Sequence, residues 1–108
     1  MNKALHKNSS VPTRDQLIST LDPDFTYLVF DKIRGVKSAD AQDDVSRLLK
    51  PFEKETFHRD IYEDNNSDVW LCIVKLTGHN SVGITNHVLK TLLPSCISCT
   101  VYDRRDLG

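Results

Sequence analysis

Two short stretches are apolar on both of their alternating faces: FTYLVFDKI (Phe25 to Ile33) and VWLCIVKL (Val69 to Leu76). Both are rich in aromatic and β-branched residues and too short for a full helix. Each therefore predicts a strand buried from two sides, central in a sheet. ETFHRDIYE behaves differently, with Phe57, Arg59 and Ile61 on one face and His58, Asp60 and Tyr62 on the other. Its charged face suits an edge strand, where charge discourages unwanted pairing. The turn cluster DNNSD (Asp64 to Asp68) predicts that the next strand returns as a hairpin. CISCTVY alternates again and predicts the last strand.

Helical spacing fills the intervals. Ala41, Val45, Leu48, Leu49 and Phe52 mark an amphipathic helix over about residues 39 to 52, with Ser38 as N-cap and Pro51 placed to end it early. Asp40, Asp43 and Asp44 favour its positive N-terminus. Ile84, Val88, Leu89, Leu92 and Leu93 mark another helix, closed by Pro94. Upstream, Thr13 and Gln16 form a capping box for a short helix carrying Leu17, Ile18 and Leu21, stopped by Pro23. Residues 1–11 show no periodicity and read as a flexible tail, leaving 12–108 as a single α+β domain.

After the short helix the order is β-α-β-β-α-β. With right-handed crossovers and a central hairpin, this is the ferredoxin-like sandwich: a four-stranded antiparallel sheet with two helices on one face. In that topology the first and third strands lie in the middle, where this chain has its two most apolar strands. Pattern and topology agree. Two helices cover only one face, so the other needs the N-terminal helix or a second subunit.

Charge changes the picture by exclusion. Lys plus Arg number 14 and Asp plus Glu 15, a net charge of −1, with Arg104-Arg105 the notable basic pair. That balance disfavours a nucleic-acid partner held through phosphates. No apolar run approaches the roughly 20 residues of a membrane span, and the N-terminus has no signal-peptide core. Three cysteines suit free thiols in a reducing cytoplasm better than a disulfide scaffold.

Candidates for chemistry are few. Cys96 and Cys99 form a C-x-x-C, but on a strand residues three apart point to opposite faces. Cys99 is then expected in the core beside Ile97 and Val101, with Cys96 facing the other way; no metal or cofactor is expected there. LTGHNSVGIT spaces Gly78 and Gly83 like a phosphate-binding loop, yet Ile84 replaces the lysine. What survives is a helix start (Gly78, His79, Asn80, Ser81) that could hold a small anionic ligand, in competition with ordinary capping by Asn80 or Ser81. Asp64, Asn66 and Asp68 begin like a calcium loop but lack its glycine and its final glutamate. His58, Asp60 and Tyr62 share a face without a nucleophile beside them. RNA recognition would need open rings on the central strands, from Phe25, Tyr27, Phe30 and Trp70.

Residues Leu17 to about Leu93, and chiefly Pro23 to Val29 with FTY opening the first strand, resemble the small YbeD-type proteins and, in layout, ACT regulatory domains. The resemblance implies a ferredoxin-like fold, no catalysis, and regulation through paired domains. It also implies a ligand position at the loop Ile33 to Val36, which includes Gly35. The leading expectation is a non-enzymatic regulatory or interaction module, partnered by itself as a homodimer or by another protein through a sheet face or edge. The rival expectation uses Asp31, at the end of the first strand, as in the small ferredoxin-fold nucleases of the CRISPR-associated type, where an aspartate near that position binds metal.

Overall fold

The computed structural model describes residues 4–7, 11–91 and 96–103. Its elements in order are β1 (Ala4–Lys7), α1 (Arg14–Thr20), β2 (Thr26–Lys32), α2 (Ser38–Leu49), β3 (Phe57–Asp64), β4 (Val69–Leu76), α3 (Ser81–Thr91) and β5 (Ile97–Asp103). One sheet holds all five strands in the order β1-β3-β4-β2-β5. The β3/β4, β4/β2 and β2/β5 pairs are antiparallel, the ferredoxin-like set. The chain is an α+β protein, with β2 and β4 in the expected central positions and β5 at the expected edge.

Several details differ from the sequence expectation. Ala4–Lys7, inside the stretch read as a tail, pairs in parallel with Arg59–Tyr62 of β3. The sheet therefore has five strands, and β3 is not an edge. A four-residue strand carries too few positions for alternation to declare it. Ser38 is the first residue of α2 and not its cap; Lys37 stands at the cap without a side-chain hydrogen bond. The early end that Pro51 allowed is present and is not a departure: the α-helix stops at Leu49, and Pro51 sits in a single 3-10 turn, Lys50–Phe52. Leu89 is 49% exposed and not part of the core. Leu92, Leu93, Pro94 and Arg104-Arg105 lie outside the described residues.

The two central strands supply both cores. Leu28 and Phe30 of β2 and Trp70, Cys72, Val74 and Leu76 of β4 pack inward, against Val45, Leu48 and Leu49 of α2 and Ile84 and Val88 of α3. The alternate positions, Tyr27, Val29, Leu71 and Ile73, form a second cluster with Tyr102 of β5 and with Leu17 and Leu21 of the α1 segment. Thus α1 covers the outer face. Its entry is fixed by the capping box, Gln16 N–H to Thr13 Oγ1 at 3.2 Å and Thr13 N–H to Gln16 Oε1 at 2.9 Å. Its exit is fixed by Tyr27, whose hydroxyl accepts the Asp22 N–H at 2.8 Å.

A buried cation ties the top of the sheet together. The Lys32 side chain is only 2% exposed, and its Nζ meets Asp68 Oδ1 at 2.6 Å. The second oxygen, Asp68 Oδ2, accepts the Gly35 N–H at 2.7 Å. Both Asp68 (φ 56°) and Gly35 (φ 87°) occupy the left-handed region, which aspartate and glycine tolerate best. The β2–α2 loop and the β3–β4 hairpin are joined by this one carboxylate. No helix among the described residues is long and apolar enough to cross a membrane.

Two outcomes follow from this packing. Leu17→Ala opens the outer cluster and is expected to cost about 2–4 kcal/mol in urea unfolding; a loss under about 0.5 kcal/mol, the surface-substitution range, contradicts the packing. Lys32, then the Gly35 N–H, hold the Asp68 carboxyl below its ordinary 3.8. With the folded value below the unfolded one, the clasp contributes fully above about pH 4 and is lost as pH falls through the folded value. Asp68→Asn, which keeps the backbone conformation accessible, is expected to lower stability at neutral pH and to flatten its decline below about pH 4. Identical acid limbs for both proteins contradict the clasp.

Candidate functional site

The C-x-x-C divides between a loop and a strand. Cys96 lies just before β5, and its backbone N–H donates to Asp44 Oδ2 of α2 at 2.9 Å. Cys99 lies within β5, opposite Phe30, and packs half-buried against the inner core with Ile97 and Val101. The expected company of Cys99 is present, but at an outermost strand its burial is partial; Cys96 precedes the strand and has no place on either face of it. All three cysteines are free. Burial first, and the Asp31 charge second, push the Cys99 thiol up to about 12. Burial pushes Cys72 up to about 12, against a lowering by Arg59. Burial and the Asp44 carboxylate raise Cys96 as well. A reactive thiol requires the opposite shift.

Asp31 is exposed near the end of β2, between Leu71 of β4 and Ser98 of β5. Desolvation raises its carboxyl pKa. Among the described residues no three His, Cys, Asp or Glu side chains gather as a metal site. His58, Asp60 and Tyr62 line an outer-face groove of about 530 Å³ with Tyr27, Lys75 and the α1 segment, where the Thr20 hydroxyl donates to the Leu17 carbonyl at 2.8 Å. Of the four rings considered for base stacking, Tyr27, Phe30 and Trp70 are buried. Phe25 is partly buried, with Lys75 Nζ 4.4 Å from its ring centre. The sheet face that would read RNA carries α1 instead.

At the start of α3, Gly78 and Ser81 line a groove of about 440 Å³. The same groove presents Asp24 and Asp103 and no lysine or arginine among its lining residues, a field that opposes an anion. His79 and Asn80 are exposed and do not line it. Asn80 Nδ2 donates to Glu55 Oε1 at 3.4 Å, and the Asn80 carbonyl accepts the Ile84 N–H at 3.0 Å. A Cβ at Gly83 would run into the exposed Asn80 side chain, which would have to turn aside. The phosphate-loop spacing spans the start of α3. Gly35, the other expected ligand contact, gives its N–H to Asp68. The structure does not bring Gly35 and the α3 start into one groove.

What remains open is the rim of the sheet, whose outermost described strands are β1 and β5, β5 being the longer. β5 flanks β2 on one side and no described strand on the other. Over its seven residues it has no proline, no lysine and no charge before Asp103. Such a strand lacks the devices that blunt edges elsewhere. Ser98 and Thr100 are exposed on its outer face, and Cys99 and Val101 are half-buried on the inner one.

Sequence reasoning also passed over Arg59. It lies in the apolar half of the β3 alternation, between Phe57 and Ile61, and lines a groove beside α2. A cation in an inward register was the available signal.

No family model, curated protein or solved structure matches the chain.

For the thiols, alkylation by iodoacetamide in native buffer near pH 7.5 is expected to be slower than for a free thiol at Cys99, and slowest at Cys72, until the chain unfolds. Because their folded values lie above the unfolded ones, both thiols stabilise the fold fully below about pH 9 and lose that contribution as pH rises beyond it. Fast native labelling of Cys72 or Cys99 contradicts this placement.

Proposed function

We propose that the chain is a non-enzymatic regulatory or interaction module that dimerises through the open edge of β5. The carrying observation is that edge itself: seven residues long, neutral up to Asp103, and free of the usual protective features. A second copy suits it because the strand is self-complementary. A twofold centred on Thr100 sets Cys99 opposite Val101 of the second copy, on the inner face where each is half-buried. The same register sets Ser98 opposite Tyr102, neutral against neutral, and joins two sheets into one. The outer sheet face is a weaker candidate, because α1 already covers it. The likeness of Pro23 to Val29 to ACT-type and YbeD-type domains, which act in pairs, supports the same reading.

Sedimentation equilibrium tests it. The unaltered chain is expected to be dimeric at roughly 100 µM, where micromolar affinity fills the complex. Thr100→Lys places two ammonium groups side by side at the twofold while pointing away from the core. It is expected to weaken dimerisation by about tenfold or more, equivalent to about 1.4 kcal/mol, with unchanged thermal unfolding of the protomer. A monomer at that concentration, or a variant that dimerises equally well, overturns the proposal.

A further inference from the structure

Where the last turns of α2 pass over β3, a groove of about 590 Å³ opens. Leu49 and Phe57, both buried, form its apolar floor. Arg47, Lys50 and Arg59 line it, against one carboxylate, Glu53. Arg47 is paired with Asp44 at 3.4 Å, which leaves Lys50 and Arg59 as the cations set against Glu53, on a chain of net charge −1. The groove contrasts with the α3 groove, whose charged lining is acidic.

Arg59 is the unusual member. It occupies the inward register of β3 opposite Val74, so its stem runs through apolar neighbours. Its Nη1 donates to Ser46 Oγ across a long 3.4 Å. Its Nε is buried without a hydrogen-bond partner. The ion pairs among the described residues join Lys32 to Asp68, Arg47 to Asp44 and Lys75 to Asp22, and leave Arg59 out. A desolvated donor of this kind costs free energy, and the exposed Nη1 end, held only by the long bond to Ser46, is the part of the guanidinium that an incoming oxygen reaches.

We propose that this groove binds the oxyanion headgroup, carboxylate or phosphate monoester, of a small molecule whose apolar body rests on Leu49 and Phe57. The guanidinium offers a planar fork that matches two oxygens of either group. Lys50, exposed on the far wall, adds a second charge without burial. The volume falls within the roughly 300–1,000 Å³ of small-molecule sites. The groove lies on β3, away from β5 in the strand order, so it stands or falls independently of the dimer.

The test uses the whole chain, ¹⁵N-labelled, titrated separately with phenyl phosphate, benzoate and uncharged benzyl alcohol. The readout is the Arg59 Nε–H resonance together with the backbone amides of α2 and β3. A saturable shift of Nε–H is expected with at least one anion and not with the alcohol, weakening as salt is raised. The anion that binds more tightly identifies the headgroup. Arg59→Gln is expected to abolish the shifts of the amides. Lys50→Ala, at an exposed position, is expected to weaken binding by about threefold or more, and it carries the test should Arg59→Gln fail to fold. An Nε–H unmoved by both anions at about 10 mM, a range that still detects the weakest specific binding, overturns the proposal. So does equal binding of the alcohol, or Lys50→Ala binding as well as the unaltered chain.

Discussion

β2 and β4 are apolar on both faces, and each face needs a cover. Two helices over one side of a sheet leave Tyr27, Val29, Leu71 and Ile73 facing outward. A patch of that kind either finds a partner or is covered by its own chain. Here seven helical residues, Arg14–Thr20, and the turn that follows perform the covering, with Leu17 and Leu21 as the inserted side chains. So short a helix is not stable alone. It depends on its capping box at one end, on the Tyr27 hydroxyl at the other, and on the apolar surface between them. Fully burying a leucine is worth about 1.5–3 kcal/mol, a large share of a stability of about 5–15 kcal/mol.

Covering the outer face decides where function can reside. Tyr27, Phe30 and Trp70 of the central strands are enclosed, and burial raises the Cys72 and Cys99 thiols away from the reactive thiolate. The surfaces left are peripheral: the β5 edge on one side of the sheet and the cationic groove beside β3 toward the other. The Lys32–Asp68–Gly35 clasp supports both indirectly, since it fixes the loop that leads from β2 into α2.

Much of this frame was legible in the pattern of side chains, for identifiable reasons. Strands apolar on both faces must be central, and the spacing of Ala41, Val45, Leu48 and Leu49 permits only a helix. Thr13 and Gln16 announced a helix start through side-chain chemistry that is local and therefore readable. What could not be read depended on distant partners. β1 is defined by its pairing with Arg59–Tyr62, not by its own composition. The pairing of Asp68 with Lys32 and Gly35 joins residues 33 and 36 positions apart in the chain, so Asp68 looked like a turn residue and Gly35 like a ligand contact. Gly78 and Gly83 suggested phosphate because their spacing has that use elsewhere; here Asn80 occupies the space above Gly83. Arg59 was visible as a charge in an inward register, but the groove around it is formed by α2, which lies thirteen residues away at Ser46.

The decisive measurement is a methyl nuclear Overhauser experiment on a sample that mixes differently labelled chains. Cross-peaks from the Leu17 and Leu21 methyls to Val29 and Ile73, arising within one chain, are the result required if α1 closes its own sheet. Cross-peaks that appear only between differently labelled chains, or none at all, contradict that claim and return the outer face to another partner.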